Sequence, residues 1–329
     1  MTDHGKMLVV QRRQEHEDFP SMLSELLRRG CCGQASARIR VGLMGAACCA
    51  SLSALVSPES GQGSTVDVDW IAAHLGVPGV RLVEIDVSRA AYDQGHIPGA
   101  VLWNAYADLR DPNYTPVGLA ELGRLLARSG ITPETCVVTY GYSAPLGFWL
   151  LRAHGHEDVR MLLGPRDQWA QLGHEWSTDT PAVAESGYPA VVANDDLLAS
   201  REAVQRAIDE PTQLVLDVRA EGEYTGELFW PSGATDNVGR TGHVPGALSV
   251  PIGLLRAEDG TLRSADELQA VFERAGVTKD KAVVTYCTIG NRAAEAWFAL
   301  KHLLGYPDVR VYYGSWVEWG KATDTPIET

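Results

Sequence analysis

Positive charge and cysteine are both scarce in this chain. Its 28 Lys and Arg face 42 Asp and Glu, a net charge of −14 over 329 residues. Such an acidic balance argues against non-specific binding of nucleic acid through the whole surface. Of six cysteines, Cys31, Cys32, Cys48 and Cys49 stand near the amino terminus, leaving only Cys136 and Cys287 for the body. A disulfide framework is therefore not expected there, and a reduced, cytoplasmic setting fits better. The two Cys-Cys pairs lack the C-x-x-C spacing of a zinc site, so no metal is expected. The apolar run Val41 to Val56 has 16 residues, short of the roughly 20 that a membrane helix needs. No stable membrane span is expected.

That run comes after Arg38 and Arg40 and reads in two ways. It is either the apolar region of a signal peptide or part of an upstream extension with no structural role. The roughly 40 residues before it are long for the basic start of a signal, which favours the extension. Pro58 to Ser64 reads as a flexible linker. Residues 1–65 are accordingly set apart as leader and linker.

Beyond residue 65 the chain is written twice. Gly95-His96-Ile97-Pro98-Gly99-Ala100 returns 147 positions later as Gly242-His243-Val244-Pro245-Gly246-Ala247. Val137 to Gly141 (VVTYG) returns 146 later as Val283 to Cys287 (VVTYC), and His156 to Arg160 returns 150 later as Tyr306 to Arg310. A near-constant offset in a constant order means duplication of a whole domain, not a short solenoid repeat. Strand-like runs (Val80–Val87, Cys136–Tyr140, Gln213–Val218, Ala282–Tyr286) alternate with helical ones, which predicts an α/β fold with parallel sheets covered by helices on both faces. The expected division is domain 1 at 66–185, a linker at 186–193 and domain 2 at 194–329.

The copies differ where it matters: Cys287 of the second corresponds to Gly141 of the first. Lys281 to Tyr286 reads as a buried strand, and from Ala293 to Leu304 the apolar residues fall on one helical face, stopped by Gly305. Between them, Cys287-Thr288-Ile289-Gly290-Asn291-Arg292 forms a tight turn whose N–H groups, with the helix start, point at one place. A thiol held there is favoured as thiolate. Domain 1 then serves as scaffold, and the site faces the domain interface. Both histidines of the repeated turns are expected to pack, since one copy has no nucleophile. Trp316 and Trp319 read as core, and Cys136 as an inert strand residue. The long polar loop 226–241 has no counterpart in the first copy, so its length marks it as functional or disordered.

The repeated GH[IV]PGA, the cysteine loop after VVTY and the closing Tyr313-Gly314-Ser315-Trp316-Val317-Glu318-Trp319 together resemble the tandem-domain rhodanese family, the thiosulfate and 3-mercaptopyruvate sulfurtransferases, from about Val66 to Glu328. The resemblance implies that Cys287 carries a persulfide between a small anionic sulfur donor and an acceptor that is cyanide, a small thiol or a protein thiol. No organic cofactor is implied. Thr288, Ile289, Gly290 and Asn291 would hold the persulfide through the loop, and Arg292 would anchor the donor. Asp217-Val218-Arg219 resembles the family's D-x-R, with Asp217 supporting the loop and Arg219 lending positive potential. Asp86-Val87-Ser88 of the first copy keeps the aspartate and loses the arginine, in step with the lost cysteine. Thr288 and Ile289 match neither the Arg-Lys of many thiosulfate enzymes nor the Gly followed by Ser or Thr of many mercaptopyruvate enzymes, whereas the C-x-I-G-x-R form looks like that of bacterial tandem thiosulfate enzymes. Two rival readings remain. A cysteine phosphatase needs C-x5-R, and here the spacing is C-x4-R. A non-catalytic interaction module would have little use for Cys287.

Overall fold

The computed structural model describes residues 63–235 and 238–329. The apolar run, its flanking arginines and the four amino-terminal cysteines lie outside the described residues.

The first copy runs β1 (Thr65–Val66), α1 (Val68–Ala73), β2 (Val80–Asp86), α2 (Ala90–Gln94), β3 (Val101–Asn104), α3 (Leu119–Arg128), β4 (Cys136–Tyr140), α4 (Ala144–Ala153), β5 (Val159–Leu162) and α5 (Gln168–Gln171). The second runs α6 (Arg201–Ala207), β6 (Gln213–Asp217), α7 (Glu221–Tyr224), β7 (Leu248–Ser249), α8 (Ala265–Arg274), β8 (Ala282–Tyr286), α9 (Asn291–Phe298), β9 (Val309–Val311) and α10 (Ser315–Trp319). Every ladder is parallel, in the orders β1-β5-β4-β2-β3 and β7-β6-β8-β9. Leu198 pairs in parallel with Val311, so the chain entering domain 2 borders β9 much as β1 borders β5. Central strands of such sheets are covered on both faces, hence the unbroken CVVTY and AVVTY runs of β4 and β8.

Two boundaries shift. Ser64 and Thr65, read as the end of the leader, belong to the fold: Thr65 pairs with Met161, and the Ser64 carbonyl accepts the Met161 N–H at 3.0 Å. The helix after Cys287 starts at Asn291 rather than Ala293 and loosens into a π-helical turn at Ala299–Leu303 before Gly305. The 186–193 segment is held against domain 1. Its Ser186 N–H donates to the Ala127 carbonyl at 2.9 Å, Tyr188 bonds His156 at 2.9 Å, and Val191 is buried.

Helix α4 explains how the copies join. Its sequence APLGFWLLRA is apolar all round and buried along nearly its whole length, as a helix between two layers must be. One side lies on the domain 1 sheet, so close that a Cβ at Gly147 would stand 1.7 Å from Ile85 Cδ1. The other meets α9, its equivalent in domain 2: the Phe148 ring lies 5.2 Å from Phe298 and 6.2 Å from Trp297. One apolar core therefore runs through both copies.

Candidate active site

Cys287 comes directly after β8 at the carboxyl end of its sheet, the edge where parallel α/β folds place ligands, and it is buried. Three residues separate it from α9. The backbone carbonyls of Cys287, Thr288 and Ile289 are each held from outside the loop. Trp316 N–H donates to the Cys287 carbonyl at 2.9 Å, Val317 N–H donates to the Thr288 carbonyl at 3.0 Å, and Arg110 Nη2 donates to the Ile289 carbonyl. The peptides are trans, so a carbonyl drawn one way turns its own N–H the other way. For the last peptide the result is explicit: Gly290 N–H donates to Cys287 Sγ at 3.0 Å. The N–H groups of Thr288 and Ile289 meet no backbone acceptor among the described residues. They are the donors that an anionic sulfur in the loop would use.

Gly290 makes this turn possible. It sits at φ 93°, and a Cβ there would lie 2.5 Å from the Tyr313 ring and 3.1 Å from Arg110 Nη2. Ser315 holds a left-handed φ of 54° without being glycine. Its buried Oγ accepts the Cys287 N–H at 3.3 Å and donates to the Tyr312 carbonyl at 2.8 Å. Backbone strain of this sort persists only where the surroundings impose it. The GSWVEW motif thus works as a strap: Ser315, Trp316 and Val317 grip the cysteine loop, while Trp316 and Trp319 fill the core beneath.

Arg292, at the end of the loop, has a partner that the sequence did not reveal. Both of its Nη atoms bond Glu223, at 2.8 and 2.9 Å, and Nη2 also reaches Thr288 Oγ1, which in turn donates to Glu223. Burial opposes the charged form of Glu223, but the hydrogen bonds and charge of Arg292, with the Thr288 hydroxyl, hold this carboxyl below its ordinary range. The charged form of Arg292 is likewise disfavoured by burial, yet kept protonated chiefly by its hydrogen bonds to Glu223. Its bidentate partner within the protein is the Glu223 carboxylate. Sequence reasoning missed Glu223. The available signal was the repeat: Glu223 precedes Tyr224, and Ala91 precedes the equivalent Tyr92.

Arg219 is also ion-paired within the protein. It is wholly buried, with Nε and Nη2 bonded to Asp217 at 2.6–3.0 Å and Nη2 bonded to the Gly242 carbonyl at 2.7 Å. Its guanidinium stacks 4.3 Å above Trp316. Asp217 also accepts the Arg219 N–H at 2.9 Å and the Tyr286 hydroxyl. Sheet register then revises the comparison between copies. Asp217 pairs with Tyr286, and the residue paired with Tyr140 is Glu84, not Asp86. Glu84 is bonded by Arg166 at 2.7 Å, and Arg166 also reaches the Gly95 carbonyl, the equivalent of Gly242, while stacking 4.4 Å over Trp176. Domain 1 therefore rebuilds the same guanidinium–carboxylate clamp from a different strand end. An arginine kept by the copy without a nucleophile is a brace for the GH[IV]PG turn.

Asn291 Nδ2 reaches Ser143 Oγ of domain 1 at 3.4 Å, and Ile289 packs into the domain 2 core. His96 and His243 stack at 3.7 Å on Tyr92 and Tyr224 and bond those tyrosines' carbonyls at 2.9 Å, the same packing in both copies. Arg240 clamps carbonyls of the closing segment, including Thr325 at 2.9 Å, whereas Trp230 lies 5.0 Å from the Tyr114 ring of domain 1. Tyr106 is pushed up to about 12 by burial, then by Tyr114, Tyr142 and Cys287, with Arg110 opposing. Burial raises Cys136 to about 11. No cluster of three His, Cys, Asp or Glu that could hold a metal occurs among the described residues, and none of their helices is long and apolar enough to cross a membrane. Two surface clefts of about 200 and 280 Å³ are lined by other residues, and Cys287 borders neither.

A duplicated parallel α/β domain, with a cysteine loop ending the central strand of one copy and a glycine in the other, defines a tandem-domain class. The chain belongs to the rhodanese-like family: a rhodanese-like domain is recognised at residues 67–172 and again at 200–322. It is 39% identical over 271 residues to the "Sulfur carrier protein TtuD" of Thermus thermophilus, covering 80% of this chain and 95% of that protein. It is also 39% identical over 284 residues to the "Putative thiosulfate sulfurtransferase SseA" of Mycobacterium bovis, covering 84% and 93%. Among solved structures, an EanB variant with a cysteine persulfide, in a tetrahedral intermediate state with ergothioneine, aligns with TM-score 0.72 at 26% identity, over 81% of this chain and 70% of that one.

Proposed function

We propose that this protein is a sulfurtransferase that moves the outer sulfur of thiosulfate to cyanide or a thiol through a persulfide on Cys287. The observation that carries the reading is the Gly290 N–H aimed at Sγ at 3.0 Å, in a loop whose carbonyls are all drawn outward. The thiolate of Cys287 attacks the sulfane sulfur, the S–S bond of thiosulfate breaks, and sulfite leaves with the bonding pair. Cys287–S–S⁻ remains, one negative charge replacing another. Cyanide or a thiolate then attacks the terminal sulfur, forms thiocyanate or a new persulfide, and returns the Cys287 thiolate. Two half-reactions on one nucleophile imply ping-pong kinetics. The loop N–H groups of Thr288, Ile289 and Gly290 stabilise the anionic sulfur in both halves, as an oxyanion hole stabilises oxygen.

Thiosulfate as donor is supported by the relatives named for it; Arg292 and Arg219 are each paired with a carboxylate, so any charge they lend the donor is shared with Glu223 and Asp217. 3-Mercaptopyruvate is the alternative donor. The carrier name of the Thermus relative favours a second emphasis, in which the acceptor is a protein thiol and the persulfide itself is the delivered form. A phosphatase reading has nothing to rest on, since Arg292 bonds Glu223 instead of closing a loop around a tetrahedral oxyanion. One preparation tests the proposal. Thiosulfate treatment adds one sulfur to the Cys287 peptide by mass spectrometry, and kcat/KM is higher with thiosulfate than with 3-mercaptopyruvate. No added sulfur with either donor would remove the reading.

A further inference from the structure

Arg110 belongs to domain 1, at the end of the connection after β3, yet its guanidinium lies in the cysteine loop of domain 2. It is 3% exposed. Nη1 donates to the Tyr114 carbonyl at 3.0 Å, Nη2 donates to the Ile289 carbonyl, and the group stacks 4.1 Å above the Tyr313 ring. Nε has no partner, and no carboxylate among the described residues pairs with this arginine. The other guanidiniums near the two clamps are all matched: Arg166 by Glu84, Arg219 by Asp217 and Arg292 by Glu223. A buried cation left without a counter-charge is costly unless an anion is to sit nearby.

The path from Arg110 to that anion is short. The carbonyl that takes the Arg110 hydrogen bond and the N–H that donates to Cys287 Sγ belong to the same peptide group, Ile289–Gly290. A cation on the oxygen side polarises the peptide and strengthens its N–H as a donor, because hydrogen bonds in series reinforce one another where water is excluded. We propose that Arg110, supplied by the domain that lacks a nucleophile, is a positioning residue that stabilises the anionic forms of Cys287 through the Ile289–Gly290 peptide. This rests on Cys287 being the sulfur-carrying residue. Thiolate and persulfide carry the same single charge, so the effect acts in both half-reactions. Domain 1 is then part of the active site rather than only its support.

The test uses the whole chain with Arg110→Gln and Arg110→Lys, and reads iodoacetamide alkylation of the Cys287 peptide by mass spectrometry. Arg110→Gln is expected to slow alkylation at neutral pH roughly tenfold, since fewer molecules are thiolate, while charge-retaining Arg110→Lys recovers most of the rate. A purely structural arginine would lower melting temperature in both variants without separating them in alkylation. The unmodified protein supplies a second arm that needs no stable variant. Its Arg110 guanidinium and Gly290 amide NMR signals should shift together as Cys287 ionises, and should not do so in Cys287→Ser. Equal alkylation of native and folded Arg110→Gln protein, or guanidinium and amide signals that ignore Cys287 ionisation, would overturn the proposal. Neither arm requires sulfur transfer, so a failure to form persulfide would count against the functional reading alone.

Discussion

Glu223 should be the most informative residue to change, because its effect distinguishes a pocket cation from a structural ion pair. Its side chain is fully buried and accepts from Arg292 twice, from Thr288, and from the Ala220 N–H at 3.1 Å. Arg292 keeps 21% of its side-chain surface, so it retains some solvent when its partner is lost. Removing one member of a buried pair costs about 3–5 kcal/mol, and partial exposure of Arg292 argues for the lower end in Glu223→Gln. At 2–4 °C per kcal/mol for a domain of this size, that is a drop of roughly 6–12 °C in Tm. Arg292→Met strands the carboxylate instead and should cost as much or more. If the two act as a pair, the double variant will be less destabilised than the summed singles by about 2 kcal/mol. Urea unfolding of the four proteins at neutral pH closes the cycle. The sign with pH comes from the lowered Glu223 carboxyl: its contribution is complete above the ordinary carboxylate pKa of about 4.3 and fades as pH falls through the lower folded value. Additive singles, or an unchanged acid limb in Glu223→Gln, would refute the pairing and return Arg292 to the donor.

Three other outcomes are expected. Cys287→Ser abolishes sulfur transfer in a thiocyanate assay, while Cys136→Ser, a thiol held up near 11 by burial, leaves it nearly intact. A chain beginning at Gly63 keeps Ser64, Thr65 and β1, and should melt and turn over like the full chain; a large loss of Tm would show that the removed segment packs. His302, stacked beside Phe298 and bonded to Ser64 Oγ at 3.0 Å, is lowered by burial to about 4. The unfolded chain therefore binds a proton that the folded one refuses between about pH 6.5 and 4. Stability should fall as pH drops through that window, and His302→Leu should flatten this part of the profile in thermal melts.

The duplication, the parallel α/β fold and the cysteine present in one copy only could all be read from the chain, because each is written in local order: strand-length apolar runs, glycine-bearing turns and a constant offset. The packing of His96 and His243 on Tyr92 and Tyr224 arises from the same short-range constraints of turn geometry. The ionic partners are a different matter. Loop position put Arg292 beside the cysteine and the family resemblance put Arg219 there, but an arginine reaches several ångströms in many directions, and its partner is whichever carboxylate the fold brings within that reach. Tertiary structure selected Glu223 for Arg292 and Asp217 for Arg219. It also brought Arg166 to Glu84 from another strand end, so that one clamp stands in both copies without matching residues. Arg110 shows the limit most clearly, since 179 positions separate it from the Ile289 carbonyl it binds. The tertiary packing that closes one domain onto the other, α4 against α9 included, brings that charge to the peptide whose N–H donates to the sulfur.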